Sequence, residues 1–121
     1  MLYIRMESEI ICKCKALIDF DNIIDLEFYF NELNYNKVFE KIAYEYIFQK
    51  IFLYACIKGK KPTIEWLCNK YTDFDDIQRI AIRQMFFYAK YLLIKNKHKD
   101  MIEWYDIFLN TLRIRDKKFK N

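Results

Sequence analysis

Three four-residue strings in this chain share one pattern of aliphatic, Glu, large aromatic and large apolar residue. They are Leu26-Glu27-Phe28-Tyr29, Ile64-Glu65-Trp66-Leu67 and Ile102-Glu103-Trp104-Tyr105, and the interval is 38 residues both times. An alanine precedes each, Ala16, Ala55 and Ala89, at the end or in the body of an apolar run. A fixed period of this size marks units that each leave a face open and bury it on a neighbour. The unit therefore reads as a helix, a short turn and a second helix carrying the Glu-aromatic pair. Phe28, Trp66 and Trp104 are expected in equivalent settings, packing one unit on the next.

Composition narrows the units to helices. The 121 residues include one Gly (Gly59) and one Pro (Pro62), while 54% are apolar and 31% charged. That leaves little for the tight turns of a sheet-rich fold. Lys58-Gly59-Lys60-Lys61-Pro62 ends one helix on a glycine suited to a left-handed cap and starts the next with proline in its first turn, where no backbone donor is missed. Asp21 or Asn22 is expected to open a helix, Asn36 another, Asp73 a third and Lys99 or Asp100 the last. Together these signals predict helices near 6–18, 23–33, 37–58, 63–71, 74–96 and 100–114. The expected fold is all-α, a short helical-hairpin array of about six helices. A chain of this length forms one domain, here residues 1–112, followed by a basic tail at 113–121. In the fifth helix Ile77, Ile80, Ala81, Met85, Tyr88, Ala89 and Leu92 are predicted to face inward.

The uninterrupted segment from Tyr54-Ala55-Cys56-Ile57-Lys58-Gly59 through Lys60-Lys61-Pro62-Thr63-Ile64-Glu65-Trp66-Leu67-Cys68-Asn69 resembles the two-helix core of an ankyrin repeat. It is similar in particular to the divergent units containing Trp-Leu that are abundant in large DNA viruses and other AT-rich genomes. The resemblance maps Ala55 and Cys56 onto the small residues ending the first helix and Gly59 onto the turn glycine. It maps Ile64, Trp66 and Leu67 onto the apolar face of the second helix. It covers about 16 residues, and the 38-residue interval exceeds the usual ankyrin period of about 33. What the resemblance implies is binding of a protein partner, in a viral setting a host protein.

Candidate chemistry is sparse. Cys12 and Cys14, with Cys56, Cys68 or His98, nominally supply four zinc ligands, but structural sites pair cysteines about two to four residues apart on a turn, and no second such pair exists. His98, the only histidine, sits in Lys95-Asn96-Lys97-His98-Lys99 among cations that disfavour a general base, and reads as a solvated helix end. With one serine and one glycine, no nucleophile is paired with a base in sequence and no phosphate loop can be drawn. No enzymatic activity, metal or cofactor is expected.

Charge divides the chain. Of 21 basic and 17 acidic residues, five basic and one acidic fall in 113–121, so the body carries sixteen of each. A neutral body lacks the bulk attraction to phosphate of a non-specific nucleic-acid binder. The apolar stretches are broken by Lys and Glu too often for a membrane span, and no leader peptide is evident. Free cysteines fit a reducing compartment, so a cytoplasmic protein is expected. Phe48, Phe52 and Phe87 fall near polar stripes and are predicted to be exposed anchors. Lys60, Lys61, Lys97 and Lys99 are predicted to lie along one edge of the array. These seven residues form the expected partner-binding set. The leading expectation is a protein-binding module that also self-associates through an apolar end; the second is a nucleic-acid binder using the lysine turns and the tail.

Overall fold

The computed structural model describes the backbone of residues 2–40 and 44–119 and the side chains of residues 6–40 and 44–112. Among the described residues there are six α-helices and no strand: α1 (Leu2–Asp19), α2 (Ile23–Tyr35), α3 (Tyr44–Lys58), α4 (Lys61–Tyr71), α5 (Asp76–Lys95) and α6 (Lys99–Phe119). The chain is all-α, as its shortage of turn-forming residues requires.

Local chemistry sets most boundaries. Asn22 caps α2 by accepting from the Asp25 N–H. Pro62 falls in the first turn of α4, where its missing donor costs nothing. Two predicted caps differ. Asp75, not Asp73, opens α5, because only Asp75 has Gln78 three residues on to complete a capping box: its carboxylate accepts from the Gln78 N–H at 2.8 Å, and the Gln78 side chain accepts from the Asp75 N–H at 3.0 Å. Asn36 closes α2 rather than opening the next helix. Lys37 then enters the left-handed region (φ 57°), a short 3-10 turn follows at Val38–Glu40, and α3 starts at Tyr44. The helix predicted over 37–58 is thus shorter at its start, and residues 41–43 of that prediction lie outside the described residues. At the other end α6 runs to Phe119, past the predicted 114, while the side chains of the basic tail lie outside the described ones.

The helices pack around α3. It touches α1 on one side and α5 on the other, while α2 folds back on α1, α4 on α3, and α6 on α5. This central place explains why Ile47, Phe48, Ile51, Phe52, Ala55 and Cys56 are all buried in one helix. An aromatic chain crosses the core. Phe48 stacks on Phe52 (5.8 Å), Phe52 meets the Phe86 ring at 5.3 Å, and Phe86 meets Phe108 at 5.6 Å. Such offset and edge-to-face pairs add to simple area burial.

The turns inside the three helix pairs share one geometry. The left-handed residues are Asp21 (φ 55°), Gly59 (φ 68°) and Lys97 (φ 61°), spaced by 38 residues. In each, two backbone bonds close the helix end: Asp21 N to Ile18 O and Asn22 N to Leu17 O, then Gly59 N to Cys56 O and Lys60 N to Ala55 O, then Lys97 N to Ile94 O and His98 N to Leu93 O. This is the Schellman arrangement, which satisfies carbonyls that a helix end would otherwise orphan. Adjacent turns are tied by side chains at matching positions. Lys60 Nζ donates to Asp19 O at 3.4 Å, and His98 Nε2 donates to Ile57 O at 2.9 Å; both pairs are 41 residues apart. His98 is therefore half-buried between turns, not a solvated helix end.

Gly59 is the turn residue with least freedom to change. A Cβ there would lie 2.5 Å from Cε1 and Nδ1 of the His98 ring, on a backbone that L-residues disfavour. Gly59→Ala is expected to cost about 2–3 kcal/mol, from left-handed strain of ~1–2 kcal/mol plus loss of the His98 bond, worth ~1 kcal/mol. Urea unfolding of Gly59→Ala, His98→Ala and the double variant isolates the clash. If the two costs simply add, the ring contact is not its source.

The aromatics of the repeated strings do not share one environment. Trp66 is half-buried, meeting Phe30 edge-on at 5.5 Å under the Lys70 ammonium. Trp104 is half-buried and stacks on Phe108 at 6.0 Å. Phe28 is 75% exposed. On α2 the core is met instead by Leu26, Phe30 and Leu33.

Candidate interaction surfaces

Of the residues expected to bind a partner, Phe48 and Phe52 are fully buried. The reason is α3's central position. The only stripe this helix leaves to solvent is a narrow one through Tyr46, Lys50 and Ile57. Phe48 and Phe52 lie on the opposite face, so they turn into the core although Lys and Gln stand beside them in sequence. Phe87 does reach the surface, at 46% exposure.

The four lysines lie at or beside the turns of one edge, as expected, but they are not equivalent. Lys60 is held by Asp21 (3.2 Å) and the Asp19 carbonyl, and Lys61 stands 3.9 Å from Glu65. Lys97 and Lys99 are exposed. In the first turn Tyr54 donates to Asp19 at 2.6 Å, and that bond, more than burial, raises the Tyr54 pKa. The edge is acidic at the first turn, with Asp19 and Asp21, and basic at the second and third.

A long apolar surface is on α5, and the predicted orientation of that helix is corrected. Met85, Ala89 and Leu92 face inward as expected, joined by Ile82, Phe86 and Leu93, whereas Ile77, Ile80, Ala81 and Tyr88 are exposed. The exposed face runs the length of the helix through Ile77, Ile80, Phe87, Tyr88, Tyr91 and Ile94, at 46 to 80% exposure. Tyr88 and Tyr91 stack on each other at 5.9 Å. A signal for this was present in the sequence: apolar residues occupy more of α5 than the stripe a one-sided surface helix needs. Periodicity alone could not say which part was covered.

A second stripe lies on α2, where Ile24, Phe28 and Tyr35, with Phe20 in the preceding turn, are 75 to 87% exposed. Its charged residues are Asp25, Glu27 and Glu32, with no cation on the helix. A cleft of about 390 Å³ lies away from the turns; its floor is Phe30, Phe39, Tyr44 and Phe74, and its rim includes Glu45, Lys70 and Asp73. The floor rings already touch one another, Phe39 and Tyr44 at 4.5 Å and Tyr44 and Phe74 at 5.3 Å, so they form a packed base and not a cage around a guest. Burial first, then Asp73 and Glu45, pushes the Tyr44 hydroxyl up to about 12 and keeps it neutral.

The thiols are split between surface and core. Cys12 is exposed and Cys14 buried, since two residues along a helix turn the side chain to nearly the opposite face. Burial pushes Cys14 and Cys56 up to about 12 and raises Cys68 as well. Each of these three is held as a neutral thiol, the form that neither attacks nor ligates. Among the described residues no group of three or more His, Cys, Asp or Glu is placed to hold a metal ion, and no helix is long and apolar enough to cross a membrane.

No family model, curated protein or solved structure matches this chain. Its function must be argued from these surfaces themselves.

Proposed function

We propose that this chain is a non-enzymatic protein-interaction module, built as a short array of three helical hairpins, α1–α2, α3–α4 and α5–α6. Support for the array comes from the turns: the same left-handed position, the same two backbone bonds and the same 41-residue contact recur at the 38-residue interval. The exposure of Phe28 fits an array as well, because the first hairpin has no predecessor to cover the position that Trp66 fills against Phe30. The likeness of residues 54–69 to ankyrin units adds protein binding as the common use of such hairpins, and a viral protein acting on a host protein as its setting.

The observation that carries the interaction reading is the apolar face of α5. Monomeric proteins seldom leave a contiguous apolar patch larger than about 300–600 Å² without a use for it, and aromatics are favoured interface anchors. Immobilised full chain should capture a protein partner whose binding falls at least about tenfold in the Ile80→Glu/Tyr91→Glu variant, equivalent to ~1.4 kcal/mol. The Lys61→Glu/Lys99→Glu variant should retain it. The reverse ranking of the two variants would remove α5 as the binding face.

The nucleic-acid reading draws on Lys97 and Lys99, exposed at the turn edge, and on the tail. Heparin retention over a salt series separates it: a steep loss with salt favours it, and no retention at low salt removes it.

A further inference from the structure

The two outer helices of the layer α1, α3, α5 leave very different faces open. Among the described side chains of α1 the exposed ones are Ser8, Glu9, Cys12, Lys13, Ala16 and Asp19, a polar or small set. On α5 they include three isoleucines and three aromatics on one face, with Gln84 among them and Asp76, Ala81, Arg83 and Lys95 at its ends and edges. A polar outer face is what a terminal unit needs to stay in water. Among the described residues, then, α1 turns a polar face outward where α5 turns an apolar one, and the first hairpin's own apolar stripe lies on α2 instead.

This asymmetry restricts what can cover α5. End-to-end growth would press its apolar face onto the polar face of α1, leaving charges to be buried without partners. A second α5 has the right chemistry. Six side chains of this size, at these exposures, leave on the order of 700 Å² open, near the ~800 Å² each partner gives to a standard interface.

Charge supplies the orientation. The α5 helix is capped by Asp75, begins with Asp76 and ends with Lys95, followed by Lys97 in the turn. Parallel pairing sets like charges side by side at both ends. Antiparallel pairing sets the acidic start of each helix against the basic end of the other, and opposes the helix dipoles. The same pairing brings Ile77 level with the second copy's Ile94, Ile80 with its Tyr91, and Gln84 with its Phe87. The pattern is self-complementary, as an isologous contact requires.

We infer that the partner of α5 is a second copy of this chain, bound antiparallel about a two-fold axis through the middle of the helix. The inference rests on reading α5 as an interaction face and names its occupant. The contact closes on itself, so assembly stops at two.

The test is the mass in solution of the full chain by light scattering and sedimentation equilibrium. Twice the 15.1 kDa chain mass is expected, without further growth as concentration rises. Ile80→Glu/Tyr91→Glu should raise the dissociation constant at least about 100-fold while keeping the helical circular dichroism and a cooperative melt, now independent of concentration. Phe28→Glu, on the other exposed stripe, should leave it unchanged. In a Cys12→Ser background, Ile80→Cys/Tyr91→Cys should give oxidised dimers, whereas Phe28→Cys should not. A wild-type monomer, continued growth with concentration, or dissociation by Phe28→Glu and not by the α5 variant would each overturn the dimer. A monomer that still loses a heterologous partner through the α5 variant would overturn only the second copy and leave the interaction reading standing.

Discussion

Phe52→Ala should lower the unfolding free energy by about 3–5 kcal/mol, as expected for a large aromatic removed from a packed core. The site has no way to collapse. Phe52 stacks on Phe48 within α3, meets Phe86 of α5 at 5.3 Å and lies 6.4 Å from Tyr105 of α6. Three helices would lose contacts to one vacated ring, and Tyr105, whose hydroxyl donates to Phe86 O at 2.7 Å, is pinned and cannot shift to fill it. Against a typical total of about 5–15 kcal/mol, such a loss leaves a marginal fold. Urea unfolding checks this through the midpoint at constant m. Phe28→Glu, on the exposed stripe of α2 and outside the proposed contact, is the control and should move stability by less than about 1 kcal/mol. A Phe52 variant of wild-type stability with impaired partner binding would return this residue to the surface set.

The second large effect is alkaline. Cys14 and Cys56 ionise near 9.0 when solvated but are pushed up to about 12 in the fold, by burial above all. Because the folded value is the higher one, the unfolded chain loses these protons first. The stability they contribute is complete below pH 9, falls as the pH rises above it, and is lost by about pH 12. Each buried thiol should therefore take away about 1.4 kcal/mol per pH unit in that window. From pH 8 to 10.5 the two together should cost about 4 kcal/mol. Urea midpoints measured across this range should drop steeply for the wild type. They should drop less steeply, by the share of these two thiols, for Cys14→Ala/Cys56→Ala, in which Cys68 and the buried tyrosines still titrate, whatever the cavity cost of the alanines at pH 8. Parallel slopes for the two proteins would mean that the thiols are not the groups responsible.

The interaction residues were only partly legible in the sequence. Phe87 is at the surface as its place among Arg83 and Lys90 suggests, and the lysines of the second and third turns do share an edge. Phe48 and Phe52 have similar polar neighbours in sequence yet are fully buried. The difference is position in the layer: α5 has a broad free side that includes Phe87, whereas α3 leaves only a narrow stripe through Tyr46, Lys50 and Ile57, opposite Phe48 and Phe52. Asp73 lost the cap of α5 to Asp75 for a local reason, the reach of Gln78, which a finer reading of spacing would have caught. Tyr91 and Ile94 had no such signal, since an apolar residue on a nearly all-round apolar helix looks the same whether it meets a neighbour or water.

The amino-acid order by itself determined that this chain is helical, where four of its six helices begin and end to within about four residues, and where Gly59 must turn. Those are local matters, settled by backbone donors, caps and the freedom of single residues. Which faces are covered was decided only when α3 was enclosed between α1 and α5. Burial depends on what lies across the gap, and a helix with apolar residues on more than one side carries no mark of which side will find a neighbour.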